Sequence, residues 1–158
     1  MRTSDGRFLH RYRDGQAATP SHVDDFAFLI WGILELYVTT FEVSYLQTAL
    51  ELNGDLIEHF WDDNNGGFYF TADDSESLLV RQKDIYDEAI PSGNSVVMLN
   101  LLRLGRITAA SDLEEKAAQI GRAFSEKVGQ LPLAHTQFLV AVDFAVGSSY
   151  EVIIVGDS

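Results

Sequence analysis

The sequence contains no cysteine, which excludes disulfides, thiolate metal sites and a thiol nucleophile together. Basic residues are scarce: 11 Lys and Arg stand against 24 Asp and Glu, for a formal net charge of -13 and a pI near 4.4. A chain of that sign repels nucleic acid and anionic membrane surfaces, so neither is an expected partner, while a sugar-like small molecule remains compatible. No uninterrupted apolar stretch is long enough to cross a bilayer and no charged-then-apolar leader opens the chain, so the expected setting is cytoplasmic. His10, His22 and His59 follow no regular ligand spacing, and no metal site is expected. Nucleophile elbow, phosphate loop and dinucleotide fingerprint are all missing, and no cofactor is expected.

Apolar residues, by contrast, make up 46% of the 158 positions, enough to bury the core of one domain. The first twenty positions carry no helical period, and "RFLHRYR" between Gly6 and Gly15 reads as a short strand or extended loop. From Val23 to Phe41 the chain is almost wholly apolar, with only Asp24, Asp25 and Glu35 charged, which predicts a helix packed on all sides. Ser44 and Gln47 form a capping-box pattern before a second helix, Tyr45 to Trp61, which is amphipathic. "DDNNGGFYFT" breaks it, and Phe68–Thr71 with Leu78–Arg81 predict a β-ribbon. A third helix, Asn94 to Ile107, is apolar on most sides, and a fourth, Leu113 to Phe124, is amphipathic behind a Ser111/Glu114 box. A fifth, Leu133 to Val146, is again apolar all round, and "EVIIVG" closes the chain as a strand.

The helices therefore alternate between the buried and the amphipathic type. A simple antiparallel bundle makes every helix amphipathic; alternation fits two concentric layers, with helices one, three and five inside and more buried than two and four. A glycine-aromatic segment and a Ser-x-x-Gln/Glu box also recur once at roughly seventy residues, a weak internal repeat.

Inner helices so arranged run parallel, and their N-termini share one rim. That rim gathers His22, Asp24 and Asp25, then Ser92, Gly93 and Asn94, then His135, with Arg81, Lys83, Tyr86, Asp87 and Glu88 arriving on the preceding loop. Two readings stand side by side. In the first, Asp24 or Asp25 with Asp87 or Glu88 are paired carboxylates for acid and base work, and Arg81, Lys83, Tyr86, Ser92, Gly93, Asn94 and His135 bind a ligand. In the second, the same residues are helix caps, turn residues, a core histidine and surface ion pairs. If Asn94, Asp87 and one of the two aspartates line a single cavity, the first reading gains.

Four stretches, "VDDFAFLIWGILELY", "FWDDNNGGFYFT", "LLVRQKDIYDEAIPSGNSVVMLNLLRLGRIT" and "EVIIVGD", together resemble the C-terminal half of a thioredoxin-domain-containing family. That family includes the YyaL-type proteins of bacteria and the spermatogenesis-associated protein of animals. The resemblance implies an all-α fold, a partial (α/α) toroid of alternating inner and outer helices like that of six-hairpin glycosidases and sugar epimerases, with short β-ribbons in the rim loops. Residues 1–147 would form that partial toroid, and 148–158 a strand leading into a further segment. Phe26 follows "VDD" where the family usually has Tyr, which removes a hydroxyl from the pocket wall. By fold analogy the chain is expected to be a piece of a carbohydrate-related enzyme; the alternative is a non-catalytic scaffold accompanying a thioredoxin-like domain. An incomplete toroid also exposes apolar helix flanks, so self-association or docking to the rest of the toroid is expected.

Overall fold

A computed structural model describes residues 8–75, 80–148 and 150. Strands β1 (Leu9–Arg13) and β2 (Gln16–Pro20) pair antiparallel, with Leu9 opposite Pro20 and Arg13 opposite Gln16. Asp14 and Gly15 make the two-residue turn, both at positive φ (52° and 80°), the pairing a tight hairpin asks of Asp-Gly. The expected strand in "RFLHRYR" is therefore β1, and its partner β2 went unanticipated.

Five α-helices follow: α1 (Val23–Thr40), α2 (Val43–Phe60), α3 (Gly93–Thr108), α4 (Ser111–Gln130) and α5 (Thr136–Val146), the last entered through a 3-10 turn at Pro132–Ala134. α1 ends where Phe41 turns left-handed and its N–H reaches the Tyr37 carbonyl at 2.7 Å; α3 ends in the same way at Ala109 on Gly105. Each of these turns leaves only two residues before the next helix. The expected capping boxes are displaced as a result: the N-caps are Glu42 and Ala110, and Ser44 and Ser111 lie inside their helices. The first half of the expected ribbon makes these pairings among the described residues. Phe68 bridges to Trp61 and Thr71 to His22, and Phe70 N–H donates to the Gln82 carbonyl at 2.7 Å. Leu78 and "EVIIVG" lie outside the described residues.

Helix directions follow from side-chain ties. Asn100 donates to the Ala27 carbonyl at 2.8 Å and Arg103 pairs with Glu35 at 2.7 Å, so α3 runs parallel to α1. Asp87, just ahead of α3, accepts from Gln137 in the first turn of α5, and Arg106, near the end of α3, donates to the Phe144 carbonyl near the end of α5. α5 is therefore parallel to both, and the N-termini of all three lie at one end.

Burial departs from expectation. Every residue of α3 from Gly93 to Leu102 is buried, because α1, α4 and α5 all pack on it. α1 buries only the stripe Val23, Phe26, Ala27, Ile30 and Leu34, and α5 only Phe138 and Ala141. α1 has neighbours in α2 and α3, and α5 mainly in α3. The flank each lacks is apolar and bare: Leu29, Leu36 and Val38 on α1, Leu139, Val140 and Val146 on α5. Inner-type composition thus produces a fully buried helix only where both flanks are covered. Among the described residues, no helix is long and apolar enough to cross a membrane.

This difference is measurable. Leu104, fully buried in α3, should cost about 2–5 kcal/mol on truncation to Ala. Leu36→Ala on the bare flank should stay within about 0.5 kcal/mol. Urea denaturation compares the two; equal losses would show that the α1 flank is covered.

Candidate functional site

The first N–H groups of any helix lack partners within it and need acceptors from elsewhere. At the shared end of α1, α3 and α5 those acceptors are the residues expected to form a pocket. Ser92 is the N-cap of α3: its hydroxyl oxygen accepts from Ser95 N–H at 3.2 Å and its O–H donates to the Ser95 hydroxyl at 2.9 Å. Asp87 serves two helices. Its Oδ1 accepts from Ser92 N–H at 2.9 Å, and its Oδ2 accepts from Gln137 N–H at 2.8 Å and Phe138 N–H at 3.2 Å. α5 needs this loan, because its own N-cap, His135, makes no side-chain cap bond.

Asp24 completes the end by accepting from Gly93 N–H. A Cβ at Gly93 would overlap Asp24 Oδ1 and come within 2.8 Å of Val23 Cγ1. The glycine of "PSGN" therefore admits α1 rather than a ligand. Asn94 is 1% exposed and closes an amide-to-backbone pairing with Phe68: Oδ1 accepts from Phe68 N–H at 2.7 Å, while Nδ2 donates to the carbonyls of Phe68 (2.9 Å) and Asp84 (2.8 Å).

Cations on the preceding loop are engaged in the same manner. Arg81 donates to the carbonyls of Thr71 and His59 and lies over the Tyr69 ring at 4.2 Å. Lys83 donates to Asp62 Oδ2 and the Gly66 carbonyl, each at 2.5 Å. Asp62 is a residue that sequence reasoning passed over. Its carboxylate also accepts from Asn64 and Asn65 N–H, Asn65 Nδ2 and the Tyr69 hydroxyl, folding "DDNNGG" into a tight turn in which Gly66 and Gly67 take φ of 71° and 81°. Burial pushes the Asp62 carboxyl up, but Lys83 and then the other donors outweigh burial and hold it well below the usual carboxylate range. An Asp followed by Asn and Gly was the available signal.

The remaining rim residues scatter. His135 is fully buried, with Nδ1–H donating to the Ile85 carbonyl at 2.8 Å and Nε2 without a partner among the described residues. Tyr86 is half exposed, tilted over the His135 ring at 5.0 Å, and Glu88 is exposed and joins none of these contacts. Asp25 faces away from Asp24: it accepts from His22 N–H at 2.8 Å and from His10 Nδ1–H at 2.9 Å. Phe26 packs edge-on between Phe8 and Phe60, with 5.5 Å between ring centres on each side.

Asn94, Asp87 and Asp24 thus converge, and the contacts among the described residues make them a clasp between helices. Neither of two surface clefts includes them. One, of about 430 Å³, lies between the Asp63–Gly66 turn and Gln119, Arg122 and Ala123 on α4; the other, of about 230 Å³, is lined by Phe8, Leu9, Ser21, Asp25, Phe26 and Leu29. Burial raises the Asp24 carboxyl, the Gly93 N–H opposes that, and the negative charges of Asp84 and Asp25 raise it further.

No family model matches the chain. It is 32% identical over 161 residues to spermatogenesis-associated protein 20 of Homo sapiens, covering 96% of this chain and 20% of that protein. The rat protein of the same name is 35% identical over 136 residues, 85% of this chain and 17% of its own length. An uncharacterised protein of Caenorhabditis elegans is 36% identical over 135 residues, 85% of this chain and 18% of its own. The chain spans about a fifth of the curated relatives it matches, and homologues so named support its kinship with that family.

The Asp24 carboxyl has a testable sign. Its folded value is raised, so between the unfolded and folded values the native state holds more protons than the unfolded one, and stability falls as pH rises through that window. Asp24→Asn keeps an acceptor for Gly93 and removes the charge. It should raise the thermal midpoint at pH 7, with the gain vanishing below the ordinary Asp value of 3.8. A loss at pH 7 would mean that the charge itself is required to hold Gly93.

Proposed function

We propose that this chain is a helical segment of a larger protein of the spermatogenesis-associated protein 20 family, where it acts as a scaffold and interaction module. The observation that carries this reading is that the polar atoms of Asp87 and Asn94 are engaged by backbone groups at the starts of α3 and α5 and at Phe68 and Asp84. Groups so engaged hold helices together and have little left to offer a substrate. The parallel directions of α1, α3 and α5 support an arc of an (α/α) toroid, with α2 and α4 as its outer members. The bare flanks of α1 and α5 are then where the rest of the larger protein, or a second copy, packs.

The second reading, a carbohydrate-active enzyme with its pocket at this rim, draws on one specific feature. The Asp24 carboxyl is raised by burial and by its acidic neighbours Asp84 and Asp25, as a general acid would be. A thermal-shift screen of a sugar library on the longest form of the protein separates the two, with Asp24→Ala and Asp87→Ala as variants. The scaffold reading expects no saturable shift with any sugar and a lower midpoint in both variants. A sugar that stabilises the wild type and fails to stabilise a folded Asp24→Asn protein would favour the enzyme reading instead.

Docking through the flanks has its own readout. This chain alone should self-associate in light scattering at low salt, and Leu36→Lys with Val140→Lys, both at exposed positions, should return it to a monomer. A wild-type chain that is already monodisperse and monomeric would remove the flanks as an interface.

A further inference from the structure

β1 and the start of α1 bring together side chains that neither the clasp nor the helix packing uses. The hairpin register, with Leu9 opposite Pro20, carries His10 back to the N-cap residue His22, one turn before Asp25. One ligand atom from each of His10, His22 and Asp25 lies within 4.8 Å of the other two. His10 Nδ1 is 2.9 Å from both carboxylate oxygens of Asp25, and His22 Nδ1 is 3.8 Å from Oδ2. Tetrahedral coordination at the usual zinc–nitrogen and zinc–oxygen lengths sets ligand atoms about 3.4 Å apart. The two observed separations bracket that span, so a small shift of an exposed histidine would suffice.

We propose that His10, His22 and Asp25 form a binding site for a divalent first-row transition metal. Two imidazoles and one carboxylate are a set that suits zinc or iron(II), whereas magnesium and calcium take all-oxygen shells. The ligands are supported as metal ligands usually are. Asp25 is oriented by the His22 N–H at 2.8 Å, and the His22 ring stacks on Phe70 with 4.5 Å between centres. The metal takes the place of the proton that His10 Nδ1 now shares with Asp25, and that proton passes to solvent. Asp25 also lines the 230 Å³ cleft, whose other walls include Phe8, Phe26 and Leu29. Three protein ligands beside a partly apolar cleft leave a coordination position open to a water or a small ligand, the arrangement of reactive rather than structural metal sites. A second cluster, His59 with Asp73 and Asp74, has one imidazole and two exposed carboxylates, and serves as the internal control.

The test uses untagged protein, cobalt(II) as an optical probe and zinc in calorimetry, with magnesium in excess. The expected result is one cobalt per chain with visible ligand-field bands. His10→Ala and His22→Ala should each weaken binding by at least about tenfold, while His59→Ala leaves it unchanged. His10 is exposed, so its variant should keep the wild-type melting midpoint without metal and lose the zinc-induced rise. Absence of bands and heat, affinity unchanged in both histidine variants, or loss of binding in His59→Ala would each overturn the proposal.

Discussion

Every other feature of the helical end depends on a carboxylate placed where helix N–H groups have no partner. Asp87 accepts from the entry of α3 and from the first turn of α5 at once. A buried donor deprived of its acceptor costs about 1–3 kcal/mol, so one side chain governs several such terms. It also fixes geometry, because two helices whose first turns share an acceptor must begin at the same level. Arg106 does the converse at the other end, donating to the Phe144 carbonyl and stacking on the Phe144 ring at 4.4 Å. With both ends tied, α5 has one position against α3 although few of its residues are buried.

Between α2 and α3 the described residues form neither helix nor regular strand, a length that would be unstable if its backbone groups went unpaired. Polar side chains take over the work of a sheet. Asn94 pairs with both backbone groups of Phe68, Asp62 gathers its own turn, and Arg81 and Lys83, two apart on an extended segment, both reach toward Tyr69. Lys83 brings its ammonium into the Asp62 turn, so a nearly buried carboxylate is kept ionised by a partner arriving from the far side of the loop. Such a pair is weak evidence for net stability, but breaking it would leave an uncompensated charge. Its main effect is to define one path for the loop.

The sequence revealed what is local and concealed what depends on neighbours. Helix positions came through within about three residues, except that α4 runs on to Gln130 rather than ending at Phe124, because apolar spacing and breakers such as "DDNNGG" act over one or two turns. Parallel directions for helices one, three and five also came through, since they follow from the alternation of buried and amphipathic helices. Burial did not: α1 is the more apolar of the two yet less buried than α3, because α4 and α5 both pack on α3. The roles of Asp87, Asn94 and Arg81 were illegible for a related reason. A clasp and a pocket both need Asp, Asn and Arg near glycine at helix starts, and only the partner atom tells them apart. His10 and His22 carry no ligand spacing because a hairpin, not a helix repeat, joins them.

The adjacent aspartates of "VDD" show how much one helix turn decides. Successive residues on a helix point about 100° apart, so Asp24 and Asp25 cannot face the same neighbour. Asp24 turns toward Gly93 and becomes part of the clasp with α3, partly buried and raised in affinity for its proton. Asp25 turns toward the hairpin, where it takes the His22 N–H and the His10 imidazole and borders an open cleft. The first is held by packing that leaves no space for even a Cβ at Gly93. The second is held by the His22 N–H and by the exposed His10 imidazole, which can exchange its proton for another partner. Of the two, only the second aspartate has a side-chain partner that another ligand can displace.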